Sequence, residues 1–211
     1  MITFAELSTM VQEGQAKAIQ APIEEMLSSG IPATEILEKG LLDGMNVIGA
    51  QFQRNEVFVP EVLLAARAMN NGIKVLKPAL AAEGLEPKGV AILGTVKGDL
   101  HDIGKNLVKI MLEGKGITVV DLGVDVSAEQ FVEAAMENNA KLICCSALLT
   151  TTMGEMKRVI EVASEKGIRD KVRIMIGGAP VNQAYCDLIG ADCYTPDSAS
   201  AANQALAFCE A

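Results

Sequence analysis

Val90-Ala91-Ile92-Leu93-Gly94-Thr95-Val96-Lys97-Gly98-Asp99-Leu100-His101-Asp102-Ile103-Gly104-Lys105-Asn106 is a short unbroken apolar run that gives way to a polar, glycine-flanked loop. Such a run reads as a strand buried on both faces. Ile117-Thr118-Val119-Val120, Leu142-Ile143-Cys144-Cys145 and Val172-Arg173-Ile174-Met175-Ile176 repeat it, and a weaker last strand lies near Ala191 to Tyr194. Helical segments fill the gaps at 104–113, 128–138, 153–166, 181–188 and 199–208. Ser127 and Gln130 have the spacing of a capping box. Strands alternating with helices make parallel βαβ units. The second half is therefore α/β, a doubly wound sheet of about five strands. Ligands of such sheets bind beyond the carboxyl ends of the strands. The residues to inspect follow Thr95, Cys145 and Ile176.

The first half is helical throughout. Thr3 and Glu6 have capping-box spacing and Gly14 is a stop signal. A second helix is expected over 15–29, ended by Gly30, and Thr34 is placed to cap a third. The stripe Leu37, Leu41, Met45, Ile48, Phe52 lies on one helical face. Pro60 heads a fourth helix with Val62, Ala65, Met69, Ile73, Leu76 and Leu80 on its apolar side. Four amphipathic helices with short connections predict an antiparallel four-helix bundle. The segment 79–89 loses the periodicity, carries Gly84, Pro87 and Gly89, and reads as a linker. The expected domains are a helical cap at 1–84 and an α/β domain at 89–211.

Composition excludes several functions. Half of the 211 residues are hydrophobic and 21% are charged, which is a globular composition. A net charge of −9 argues against a sequence-independent nucleic-acid binder and against anionic membrane surfaces. No apolar run approaches the ~20 residues of a membrane span. The start Met1-Ile2-Thr3-Phe4-Ala5-Glu6 has no basic region and no long apolar stretch, so no secretory signal is expected. Five cysteines without a Cys-x-x-Cys spacing read as reduced thiols of a cytoplasmic protein.

The loop after the first strand holds the only histidine of the chain, His101. Asp99 stands two residues before it, and Gly98 and Gly104 free the backbone on both sides. A lone histidine is often merely structural. Here, however, the neighbouring carboxylate is placed to take one ring proton, fix the tautomer and raise the basicity of the other nitrogen. One histidine cannot build an all-protein zinc or iron site. A single ligand implies a metal whose other ligands come from a cofactor. After the third strand, Ser146, Thr150, Thr151 and Thr152 offer hydroxyls to a polar ligand. Alternatively, Thr151 or Thr152, ahead of Glu155, caps the next helix. Gly177-Gly178 after the fourth strand permits close backbone approach. The glycines at 94, 98 and 104 match neither phosphate-loop pattern, and no serine nucleophile elbow is present.

Taken together, Asp99-x-His101-x-x-Gly104, Ser146-x-Leu148 and Gly177-Gly178 resemble the signature of base-off/His-on cobalamin-binding proteins. Gly44-Met45-Asn46-Val47-Ile48-Gly49, Phe52 and Phe58-Val59-Pro60-Glu61 resemble the cap bundle of cobalamin-dependent methionine synthase. The combination is still more similar to the small corrinoid proteins of methyltransferase systems acting on methylamines, methanol, glycine betaine or aromatic methyl ethers. The resemblance covers nearly the whole chain. It implies a Rossmann-like (flavodoxin-like) cobalamin domain behind a helical cap.

The resemblance also assigns roles. His101 becomes the lower axial ligand of cobalt, and Asp99 accepts its other N–H. In methionine synthase a Ser hydroxyl, six residues after the Ser of Ser-x-Leu, continues this chain; Thr152 holds that place here. Ser146, Leu148 and Thr150 line a pocket for the nucleotide tail, Gly177 and Gly178 let it pass, and Tyr194 and Asp197 touch its end. Gly98, Asp102, Ile103 and Gly104 lie against the corrin or its tail. Phe52, Val59 and Val62 cover the upper face of cobalt, although Phe52 and Val62 also sit on the core stripes.

The activity implied is that of a methyl carrier, not catalytic alone. Cob(I)alamin accepts a methyl group from a substrate-specific methyltransferase, and methyl-cob(III)alamin passes it to a second, corrinoid-to-acceptor methyltransferase. A reductive activase is a further implied partner, and the segment 79–89 is where the cap would hinge. The rival readings are a cobalamin-dependent regulator and the B12 subunit of a radical mutase. The plain alternative is a flavodoxin-like domain without a corrinoid.

Overall fold

The computed structural model describes residues 2–83 and 87–210, which divide into two compact units, Met1–Glu86 and Pro87–Ala211.

In the helical unit, α1 (Phe4–Gln12) opens with the expected capping box: Thr3 Oγ1 accepts the Glu6 N–H at 3.2 Å, and the Glu6 carboxylate accepts the Thr3 N–H at 2.7 Å. The second helix, α2 (Gln20–Ser28), starts later than periodicity predicts. Residues 15–19 form turns instead, and the Ala16 carbonyl accepts the side-chain amide of Asn71 at 2.8 Å rather than a helical N–H. Next, α3 (Ala33–Ile36), a π-helical segment (Leu37–Leu42) and α4 (Asp43–Gln53) run end to end. The wider π turn lets Gly40, Leu41 and Leu42 all be buried in succession. Thr34 is not the cap of this rod. The Glu83 carboxylate, at the end of α5 (Val59–Glu83), accepts the N–H groups of Ala33 at 2.7 Å and Thr34 at 3.0 Å.

The last helix of this unit begins at Val59, one residue before Pro60, and Glu61 accepts the Phe58 N–H at 3.0 Å. It runs past Pro78, so 79–83, expected as linker, is helical. An alanine-rich run keeps high helix propensity even after its stripe has ended. Residues 84–86 of the expected linker lie outside the described residues. The interior of the unit is aliphatic and thioether: Leu7, Ile23, Met26, Leu41, Met45, Val62, Met69 and Leu76 are all buried.

The second unit alternates β1 (Gly89–Thr95), α6 (Ile103–Glu113), β2 (Ile117–Asp121), α7 (Ala128–Glu137), β3 (Leu142–Ser146), α8 (Gly154–Glu165), β4 (Arg173–Gly177), α9 (Gln183–Ile189), β5 (Cys193–Tyr194) and α10 (Ser198–Glu210). All five strands are parallel, in the order β2-β1-β3-β4-β5. Helices α7 and α8 cover one face, where Phe131, Val132, Met156 and Val159 pack on Ile92, Ile143, Cys145 and Ile176. The short β5 starts two residues after the expected Ala191. There Asp192 takes the Ile174 N–H on its side chain at 2.7 Å, outside the ladder.

The chain leaves β1 toward β2 on one side and β3 on the other. The topological switch point, where such folds bind ligands, therefore lies at the carboxyl ends of β1 and β3. Register places Thr95 opposite Ser146 and Ser146 opposite Gly177, so the three loops singled out from sequence start in line.

Candidate cofactor-binding site

The loop after β1 turns sharply at Gly98, whose φ of +79° is a conformation that favours glycine. The turn carries Asp99 into the interior, where its side chain is fully buried. Oδ1 of Asp99 accepts Nδ1 of His101 at 2.6 Å and the His101 N–H at 3.1 Å. Oδ2 accepts the N–H groups of Leu148 at 2.7 Å and Leu149 at 3.2 Å, and the Thr152 hydroxyl at 3.0 Å. The same hydroxyl lies 2.9 Å from the Leu149 carbonyl, so one proton serves two acceptors. Burial alone would raise the pKa of Asp99. Hydrogen bonds from the His101 ring, the Leu148 and His101 N–H groups and Thr152 outweigh it and hold the carboxyl well below the usual carboxylate range. A buried charge persists only when compensated in this way.

The ionised Asp99 has no proton to give, so the short contact places a proton on Nδ1 of His101, and in the neutral ring this leaves the lone pair on Nε2. The Thr95 hydroxyl fixes the His101 carbonyl at 2.8 Å. The imidazole is about half exposed (52%), and among the described residues Nε2 has no hydrogen-bond partner. The result is a basic nitrogen of fixed tautomer presented at the switch point. Among the described residues no three or more His, Cys, Asp or Glu side chains are arranged to hold a metal ion. The donor set thus suits a metal that arrives with its own ligands.

The surroundings fit a large, partly apolar ligand. Ile103 is 81% exposed and Leu100 70% exposed, beside the part-exposed Leu148 and Leu149. Large apolar side chains left exposed on the loops after β1 and β3 suit an apolar ligand. Nothing lies within 4 Å of where a Cβ on Gly104 would stand. At Gly177 a Cβ would make only ordinary contact, 3.8 Å from the Thr195 carbonyl. The neighbouring Gly178 differs: with φ +132°, an added Cβ would collide with the Ala147 carbonyl oxygen. The fold therefore demands Gly178, whereas Gly177 leaves room.

The other expected residues are placed as follows. Asp102 precedes α6, makes no cap bond of its own and accepts the Asn106 amide at 3.1 Å. Thr150 is exposed and Ser146 partly so. No side chain caps α8, so Thr152 serves Asp99 and not the helix. Tyr194 is half-buried against the sheet core, and Asp197 accepts the Ser200 N–H at 2.7 Å and hydroxyl at 2.8 Å at the start of α10. In the helical unit Phe52 is half-buried, Val59 is 37% exposed and Val62 is fully buried in the core.

Sequence reading missed the turn after β2. Asp125 there accepts the Gly98 N–H at 2.7 Å from 27 positions away. Asp121 takes the almost completely buried Lys105 Nζ at 2.6 Å. No local spacing announces either contact. The available signal was two aspartates flanking a glycine directly after a strand.

A doubly wound parallel sheet that presents one carboxylate-held histidine at its switch point defines a binding domain for a metal-bearing cofactor. Two family patterns, both described as "B12 binding domain", match residues 3–77 and 89–207, and the chain belongs to this family of cobalamin-binding proteins. It is 46% identical over 202 residues to dimethylamine corrinoid protein 1 of Methanosarcina mazei, covering 95% of this chain and 93% of that one. It is 47% identical over 173 residues to trimethylamine corrinoid protein 1 of Methanosarcina acetivorans, covering 81% and 80%. Among solved structures, the methanol:cobalamin methyltransferase complex MtaBC from Methanosarcina barkeri matches with a TM-score of 0.89 at 29% identity, over 98% of this chain and 79% of that one. The cofactor is cobalamin, and the site residues fit it: one basic nitrogen, an apolar rim and open space at two glycines.

Proposed function

We propose that this chain is the corrinoid methyl carrier of a methyltransferase system. It is loaded by a substrate-specific methyltransferase and unloaded by a second methyltransferase that serves the acceptor. The observation that carries this reading is the buried Asp99 holding Nδ1–H of His101 with Nε2 free, in a chain whose two units both match B12-binding patterns. When bound, the corrinoid cobalt supplies the nucleophile for methyl uptake and the leaving group for methyl release.

His101 would hold the cobalt of the bound cofactor through Nε2. Asp99 and Thr152 fix the imidazole's tautomer and direction. Ser146, Leu148, Thr150, Gly177, Gly178 and Tyr194 receive the nucleotide tail, and Gly98, Asp102, Ile103 and Gly104 take the corrin edge. From the helical unit the part-exposed Phe52 and Val59 would keep water from the bound cofactor, whereas Val62 is fully buried in that unit's core. Residues 1–84 and 89–211 act as cap and carrier. The partners are methyltransferases, as the relatives' names support, together with a reductive activase. Among the described residues no helix is long and apolar enough to cross a membrane. The five cysteines are free, which supports a cytoplasmic setting.

The test begins with the full chain reconstituted with hydroxocobalamin, reduced, and given methyl iodide. Consumption of one equivalent, and release of that methyl group to a thiol or tetrahydrofolate only when a methyltransferase is added, is expected. Binding of cobalamin without consumption of methyl iodide would point instead to a mutase subunit or a regulator. His101→Ala should retain some corrinoid while losing the His-on absorption spectrum; an unchanged spectrum removes His101 as ligand.

A further inference from the structure

The turn between β2 and α7 is built around a residue in an unfavourable conformation. Asp125 has φ +56°, a left-handed backbone held by a residue with a side chain. Such conformations persist only where the surroundings over-determine them. What surrounds Asp125 is the loop that carries His101. Its Oδ1 accepts the Gly98 N–H at 2.7 Å, and its own N–H donates to the Asp99 carbonyl at 3.0 Å. Two further main-chain bonds tie the same turn to the end of β1: Thr95 N–H to Gly123 O and Val126 N–H to Thr95 O, each 3.0 Å.

The other end of the histidine loop is gripped from the last residue of β2, where this turn begins. Asp121 accepts Lys105 Nζ at 2.6 Å and the Gly123 N–H at 3.0 Å, and Lys105 lies in the first turn of α6. The loop is thus held at both ends by the end of β2 and the turn that follows it. Asp99 is gripped on its backbone by Asp125 and on its carboxylate by Leu148, Leu149 and Thr152.

We propose that Asp125 is a positioning residue for the axial histidine: it fixes Gly98 and the Asp99 backbone so that His101 is presented to cobalt already oriented. The proposal rests on His101 being the ligand. Pre-setting the loop removes the ordering that cofactor binding would otherwise require. Asp125 touches no cofactor atom in this role and acts through Gly98 and Asp99 alone. The side-chain acceptor matters, not the charge, and asparagine preserves both the acceptor and the tolerance of left-handed backbone. Glycine preserves only the backbone.

The test compares native protein with Asp125→Asn and Asp125→Gly, each the full chain reconstituted with hydroxocobalamin and reduced to cob(II)alamin. Electron paramagnetic resonance reads the fraction of cobalt carrying a nitrogen axial ligand from its superhyperfine splitting. Asp125→Asn should match native. Asp125→Gly should bind cobalamin yet lower the ratio of nitrogen-ligated to unligated cobalt by roughly three- to tenfold, the range for one lost hydrogen bond. An unchanged ratio in Asp125→Gly, or an equal fall in Asp125→Asn, overturns the proposal.

Amide hydrogen exchange of the cofactor-free proteins supplies an independent measurement. The Gly98 amide should be protected in native protein and exchange several-fold faster in Asp125→Gly. An unprotected native Gly98 overturns the proposal even if the glycine variant does not fold. Should native protein show no nitrogen splitting, the ligand reading of His101 fails, and the exchange comparison alone then decides whether the turn clamps the loop.

Discussion

The helical unit and the α/β unit bury similar apolar side chains but treat polar ones differently. Among the described residues the helical unit buries one polar side chain, Ser8, hydrogen-bonded to Asp43 at 2.8 Å. Most of its other long-range polar contacts sit at helix ends, as at Glu83. Among the described residues the α/β unit buries Ser198 and, near the carboxyl ends of its strands, Thr95, Asp99, Lys105 and Thr152. Burying a polar group costs free energy unless every bond is replaced. In the helical unit aliphatic packing suffices. The α/β unit accepts expensive interior groups because a nitrogen has to be held in one tautomer and one direction.

That contrast breaks most readily at Asp99. Asp99→Ala strands the donors of His101, Leu148, Leu149 and Thr152, and should lower unfolding stability by about 3–5 kcal/mol, read by urea denaturation, together with loss of the His-on spectrum. A loss below about 1 kcal/mol would mean that the site is no more demanding than the helical unit. Acid sharpens the point. The folded-state pKa of Asp99 is depressed, so its contribution is complete above the unfolded carboxylate range near pH 4 and disappears as pH falls through the folded value. Between pH 5 and 7 Asp99 should add no slope to stability. Below that range native protein should lose stability faster than Asp99→Asn.

Asp121→Asn comes next, because it leaves the buried Lys105 ammonium without its counter-charge; about 3 kcal/mol of destabilisation is expected. Lys105→Met, which removes the buried charge itself, should cost less, and the ranking of the two variants by urea midpoint is the check. Glu83→Ala, in the helical unit, is the smallest. Removing a surface-exposed cap should lower the melting temperature slightly and leave the His-on spectrum unchanged. A spectral change in that variant would deny that the two units divide the work.

The same contrast decided what could be read from sequence. Parallel strands buried on both faces are continuous apolar runs, so the first four strands were legible, and the short, half-buried β5 only weakly. In the helical unit the late start of α2, the π turn and the helical 79–83 depend on contacts such as Asn71 to Ala16 and Glu83 to Ala33, far apart in the chain. At the site, Asp99 and His101 are two residues apart and declare each other. Thr152 was assigned by resemblance and could equally have capped a helix. Leu148 and Leu149 contribute backbone N–H groups, which no side-chain pattern reveals. Asp125 escaped because its contact joins the loops after β1 and β2, 27 positions apart in the chain.

The paired glycines after β4 have separate histories built into them. Gly178 is held by collision with the Ala147 carbonyl, a constraint that exists whether or not anything is bound. Gly177 meets nothing closer than ordinary contact, so the fold itself does not forbid it a side chain, and only a bound ligand would. In a descendant that had abandoned its cofactor, selection would go on purging every replacement of Gly178, while alanine or serine would drift freely into Gly177. The two neighbours form a record in which one letter reports the survival of the fold and the other the survival of its trade.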